Sequence, residues 1–114
     1  MENIDMKPVP PMRDDAIAFL LRDYPAFANY YLTAALDMAD REDGLETLHE
    51  ALRQVAEARG MYSVAVRAGI PRESLYRALS PGGDPTVRIL LAVLDAAGLK
   101  LGVYPRPHAD DRQS

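Results

Sequence analysis

The chain contains no cysteine and only two histidines in 114 residues. Without thiols, neither a disulfide framework nor a thiolate metal site can form. His49 falls on the polar side of a helical stretch and His108 lies in the tail, and neither has the neighbours of a metal site. No metal and no cofactor is expected. No apolar run approaches the roughly 20 residues that a membrane span needs. The opening M-E-N-I-D-M-K lacks the apolar centre of a signal peptide, so the expectation is a soluble cytoplasmic protein. Ser63, Ser74 and Ser80 have no base nearby in sequence, which removes the usual means of activating a hydroxyl nucleophile. Gly82-Gly83 precedes a helical stretch but lacks the lysine and the preceding strand of a phosphate-binding loop, and reads as a turn. These absences point away from an enzyme.

What is present is 48% apolar residues, enough to build the core of one domain. The net charge of -4 hides an asymmetry. Residues 1–50 carry 4 Lys or Arg against 11 Asp or Glu, whereas residues 51–114 carry 9 against 6. Such a split suggests two different partners, one basic and one polyanionic, or a solvated surface with uneven patches.

Pro8, Pro10 and Pro11 mark residues 1–12 as an extended, flexible arm. Apolar spacing predicts a helix over 13–22 and a second from Pro25 to about Ala39. The stripe Leu45, Leu48, Leu52, Val55 and Ala56 predicts a third helix that stops at Gly60. Two short helices are expected near 63–68 and 72–80, joined by a tight turn through Gly69. The run P-G-G-D-P is a strong turn signal before a sixth helix over 86–97. Residues 100–104 contain strand formers in weak alternation, and 105–114 read as a disordered tail. The expected fold is therefore all-α, five or six helices over 13–104 with one short C-terminal β-strand.

Two short helices with a tight turn are the layout of a helix-turn-helix, whose second helix enters the DNA major groove. On a helical wheel Leu75, Ala78 and Leu79 fall together as the buried face. The opposite side then shows Glu73, Arg77 and Ser80, flanked by Ser74 and Tyr76, with Arg72 in the first turn. Arginine reads guanine or grips phosphate, and hydroxyls do either less specifically. Glu73 stands four residues before Arg77, a spacing that allows an ion pair along the helix. The bland alternative is an ordinary solvent-facing helix. Val64, Ala65, Ala68, Ile70, Leu75 and Leu79 are expected to share a miniature core beneath the pair.

These residues resemble a known group. A-N-Y-Y-L-T-A-A-L (28–36), A-L-R-Q-V-A-E-A-R-G-M (51–61), R-E-S-L-Y-R-A-L-S-P-G-G-D-P-T (72–86) and G-L-K-L-G-V (98–103) are similar to the addiction-module antidote proteins, HigA-like antitoxins with a Cro/C1-type helix-turn-helix. The resemblance covers about 20–104. It implies an antitoxin of a type II toxin-antitoxin module. Such a protein binds a small basic RelE/ParE-like (HigB-like) toxin and represses its own operon by binding operator DNA. Two departures stand out. The family tends to have Ser or Thr where Tyr62 stands and Ser where Pro71 stands, so Ser63 is the candidate replacement cap for the first short helix.

The candidate DNA-binding residues are Ser63, Arg67, Arg72, Glu73, Ser74, Tyr76, Arg77 and Thr86. Tyr24, Tyr30, Asp40, Glu42, Asp43 and Glu46 are the candidates for docking a basic toxin, while Phe27 and Tyr31 are assigned to core packing. The sixth helix has two apolar faces. Val87, Leu90, Leu91 and Leu94 suit the core, and Ile89, Val93 and Ala96 suit either the chain's own first helices or a partner subunit. A lone strand has no mate in a helical chain. Ile89, Val93, Lys100, Leu101, Val103 and Tyr104 are therefore the candidate interface of a homodimer, which would set two recognition helices about 34 Å apart. The rival functions are a stand-alone transcription regulator and a protein-interaction module that has lost DNA binding.

Overall fold

Six helices follow one another in the computed structural model, which describes residues 14–107. They are α1 (Asp14–Asp23), α2 (Pro25–Asp37), α3 (Gly44–Arg59), α4 (Met61–Ala68), α5 (Arg72–Leu79) and α6 (Val87–Ala96). The fold is all-α. Among the described residues no strand forms, and the segment expected as one, 100–104, runs without regular structure. The expected arm (1–12) and the tail beyond Pro107, His108 included, lie outside the described residues.

Helix α3 is the central element and packs against all five others. Its sequence accounts for this. Leu48, Ala51, Leu52, Val55 and Ala56 are all buried, and a stripe that mixes small with branched residues lets neighbours approach from several sides. Leu45, expected to extend that stripe, is exposed instead. It stands one residue inside the helix, where the end of α2 packs on buried Gly44 and leaves Leu45 outside.

The start of α3 depends on close backbone contact. Asp43, the residue before the helix, takes the left-handed conformation with φ 62°. Thr47 Oγ1 donates to its carbonyl at 3.1 Å, and Gly44 N donates to Arg41 O at 2.8 Å. A Cβ on Gly44 would lie 2.1 Å from the carbonyl oxygen of Met38, so only glycine fits.

α2 begins as the sequence predicts, with Pro25 in its first turn and Tyr24 extended before it. Ala28, Leu32 and Ala35 are buried at helical spacing. Phe27 and Tyr31 stack with ring centroids 5.5 Å apart, both partly buried against the core. The Tyr31 hydroxyl donates to the side-chain oxygen of Gln54, the one buried polar side chain among the described residues. The neutral Gln54 thus has a partner for its buried carbonyl. At the other end of α3, Arg59 Nη2 donates to Leu21 O at 2.6 Å and closes the C-terminal carbonyls of α1.

α6 lies chiefly against α4 and α3. Its buried face is Ile89, Ala92, Val93 and Leu94. This corrects the expected division of its two apolar faces. Ile89 and Val93, candidates for a dimer interface, are covered by the chain's own helices, and Ala96 also packs on the core. Val87 and Leu91, assigned to the core, are 68% and 46% exposed. Both faces carry branched apolar residues, so periodicity could not choose between them. The side that goes inside includes small Ala92, and α4, its main neighbour, buries Ala65 and Ala68, which suits a close approach.

Candidate nucleic-acid interface and acidic turn

The candidate interface is built on the pair α4–α5. Helix α4 starts from Gly60 and buries Met61, Val64, Ala65 and Ala68. It ends at Gly69 in the left-handed conformation, φ 71°, with Ile70 N donating to Ala65 O at 3.1 Å. That six-to-one bond closes the helix and turns the chain by a residue that has no Cβ to strain. Three residues later α5 begins. Pro71 precedes it in the extended conformation, and its carbonyl accepts from Ser74 N and Leu75 N.

Leu75 and Leu79 are 0% and 1% exposed, and they seat α5 against α4 and α3. The expected shared core is present with one adjustment, since Ile70 is only partly buried and the whole set belongs to the single core of the molecule. With the leucines inward, Arg72, Glu73, Tyr76 and Arg77 are all exposed, and Ser74 is half-buried. Behind the helix, Gly83 lies so close to the end of α5 that a Cβ would sit 2.4 Å from the carbonyl oxygens of Arg77 and Ala78. The turn 80–85 therefore folds against that end and closes it.

Several expected details differ. Among the described residues Glu73 and Arg77 form no ion pair. Arg77 Nη2 instead donates to Ser74 Oγ at 3.4 Å, a weak contact. Ser63 is not a cap, because α4 begins at Met61 and Ser63 lies within it. Thr86 is a cap: its hydroxyl oxygen accepts from Ile89 N at 3.2 Å at the start of α6. Arg67 is turned to α6, where Nε meets Asp95 Oδ2 at 3.3 Å, and it lines a groove with Arg88 and Lys100 rather than joining the α5 ridge. The basic residues thus fall into two sets, a free ridge on α5 and a partly neutralised groove beside α6.

The second candidate surface, for a basic protein, is also divided. Tyr24, Tyr30, Asp40, Glu42, Asp43 and Glu46 are all exposed. Tyr24 stands before the first residue of α2 and Asp40 beyond its last. The helix between them spans about 20 Å at ~1.5 Å per residue. These residues are not one patch. Tyr24 belongs with Phe19, whose ring meets it edge-on at 6.0 Å. The acidic residues of the α2–α3 turn instead have exposed Met38 and Leu45 as chain neighbours. Leu45 fits the apolar stripe of its helix in sequence, and Met38 stands just past the last residue of α2.

The fold and site define an all-helical protein with a seated, arginine-bearing helix on one side of α3 in the chain and an acidic, partly apolar turn on the other. A family model described as a probable addiction module antidote protein matches residues 15–105, and the chain belongs to that family. It is also similar to an uncharacterized protein of Haemophilus influenzae, with 43% identity over 63 residues, 55% of this chain and 65% of that protein. The match thus spans just under two thirds of that relative's length. No solved structure matches the chain.

Proposed function

We propose that the protein is the antitoxin of a type II toxin-antitoxin module, that it docks a small basic RelE/ParE-like (HigB-like) toxin, and that it represses its own operon as a Cro/C1-type helix-turn-helix protein. Family membership supports the antidote role. The observation that carries the DNA half is the α5 ridge: Leu75 and Leu79 hold the helix from beneath, while Arg72 and Arg77 project without an acidic partner among the described residues. A helix fixed in this way keeps its donors in place for base edges and phosphates. Its first-turn N–H groups add backbone donors suited to a phosphate. The acidic α2–α3 turn, with Met38 and Leu45 exposed beside it, is the surface proposed for the toxin.

The opposing reading, an interaction module without DNA binding, draws on the unpaired carboxylate of Glu73 and on Pro71, which offers α5 no side-chain cap. A gel shift on the gene's own promoter separates the two. The natural protein is expected to shift that fragment well ahead of a scrambled one. Arg77→Ala is expected to lose roughly 1–3 kcal/mol of specific binding if the arginine reads a base. If it meets phosphate alone, binding weakens on both fragments and the salt slope falls by about one. No change in either measurement removes Arg77 from the interface, and no shift by the natural protein removes the repressor reading.

The toxin half is tested by co-expressing the chain with a small basic reading frame adjacent to its gene. The two are expected to co-purify and growth to be protected. Reversing charge in the turn, with Glu42→Lys and Glu46→Lys together, is expected to weaken the complex while leaving the promoter shift intact.

A further inference from the structure

We propose that a pocket between the end of α2 and the start of α3 receives one apolar side chain of the basic partner protein, presented on a segment whose neighbouring residues are lysine or arginine. The inference rests on the toxin half of the reading above and adds to it the chemistry by which the partner is held.

The pocket has a volume of about 240 Å³. Its walls are chiefly carbon, from Tyr31, Ala34, Ala35 and Met38 on the side of α2 and from Gly44 and Ala51 on the side of α3. The sequence makes the space. Ala35, Gly44 and Ala51 are buried where the two helices pack, and none of them reaches beyond a Cβ. Tyr31 is held by its stacking on Phe27 and by its hydroxyl bond to Gln54, so that wall is fixed. Met38 is exposed, and an unbranched thioether adapts its shape to what it meets. One wall is thus rigid and the other adaptable.

Size and charge together select the occupant. Sites for small molecules run to ~300–1,000 Å³. This pocket falls below that range, at the scale of a single anchoring side chain. Glu42 lines it together with Arg41. Asp40 and Asp43 stand beside them in the same turn, and Glu46 follows in the first turn of α3. None of these four carboxylates is in an ion pair among the described residues. One arginine against four free carboxylates leaves the rim negative. Such a rim repels a nucleic acid, an anionic membrane and the same face of a second copy. Lysine or arginine on either side of an entering apolar residue is drawn to it instead. The apolar contact supplies the hold, and the charges supply the approach.

Ala34 makes a direct test available, because it lines the pocket yet is exposed and lies outside the core. The probe is the product of the small basic reading frame adjacent to the gene, titrated against the full chain. Ala34→Phe is expected to weaken the complex at least tenfold, by the same factor at low and at high salt, with the melting temperature unchanged. Ala34→Ser is expected to bind as the natural chain does. Glu42→Lys with Glu46→Lys is expected to lose affinity chiefly at low salt, because exposed charges are screened. Each apolar residue of the partner that is flanked by lysine or arginine is then changed to alanine. One of these changes is expected to weaken binding to the natural chain and to add nothing to Ala34→Phe, the mark of two residues in contact. Full binding by Ala34→Phe overturns the proposal and leaves the toxin reading standing. So do losses that add in full at every partner position. A partner that does not bind the natural chain at all removes the toxin reading, and the occupant of the pocket with it.

Discussion

Leu75→Ala is expected to cost about 2–5 kcal/mol of folding stability, the range for deleting a buried leucine side chain. Leu75 is fully buried, and it is one of only two side chains by which α5 buries itself completely. Alanine would leave a cavity at the junction of α3, α4 and α5 that the short helix cannot close without shifting its exposed ridge. A domain of this size has roughly 5–15 kcal/mol in hand, so the variant should fold but melt early. The melting temperature should fall by roughly 4 °C for each kcal/mol lost. Urea unfolding checks this through a lower midpoint at an unchanged slope. Arg77→Ala serves as the contrast, since an exposed arginine with one long contact should leave the midpoint unmoved. Equal midpoints for Leu75→Ala and the natural chain would mean that α5 is not seated as described.

The second large effect is expected at Gly44. A Cβ there would meet the carbonyl oxygen of Met38 at 2.1 Å and the Cα and carbonyl carbon of Ala39 at 2.9 Å. All three are backbone atoms, so no side chain can swing away to relieve the clash. Gly44→Ala is expected to cost about 3 kcal/mol, the upper part of the range for overpacking. The strain must be released by opening the turn 38–43, which carries Asp40, Glu42 and Asp43. On the proposed reading, the complex with a toxin is expected to weaken together with the stability, while the promoter shift proposed for the folded fraction persists. Helix propensity alone would forecast the opposite sign, because alanine outranks glycine inside a helix by about 1 kcal/mol. A thermal melt that rises in Gly44→Ala would show that the turn yields without cost.

Most of the fold was legible because helix signals here are local and redundant. Pro25 sets a first turn, Gly60 and Gly69 mark stops, and P-G-G-D-P separates α5 from α6. The seating of α5 was equally readable, since Leu75 and Leu79 are the only large apolar residues on an otherwise polar helix. The failures share one cause, which is choice between equivalent local patterns. α6 offers two apolar faces, and only the position of α4 decides that Ile89 and Val93 go inside. Leu45 continues the α3 stripe in sequence, but at that level the end of α2 packs on Gly44 and Leu45 stays exposed. Ser63 is a good cap by residue type, but Gly60 had already started the helix. The Glu73–Arg77 spacing permits an ion pair, yet two exposed side chains gain little by holding one geometry, and Arg77 rests on Ser74 instead.

The central place of α3 has a consequence for how the molecule comes apart. Every other helix touches this one, and the buried residues form a single core that runs through it. A cut in the 38–43 turn or in the 80–85 turn would not release a folded fragment that keeps half of the molecule's work. It would expose Leu52 and Val55 and bring down the remainder. Breakdown of this protein should therefore run as a single event, with intact chains and short peptides and little in between.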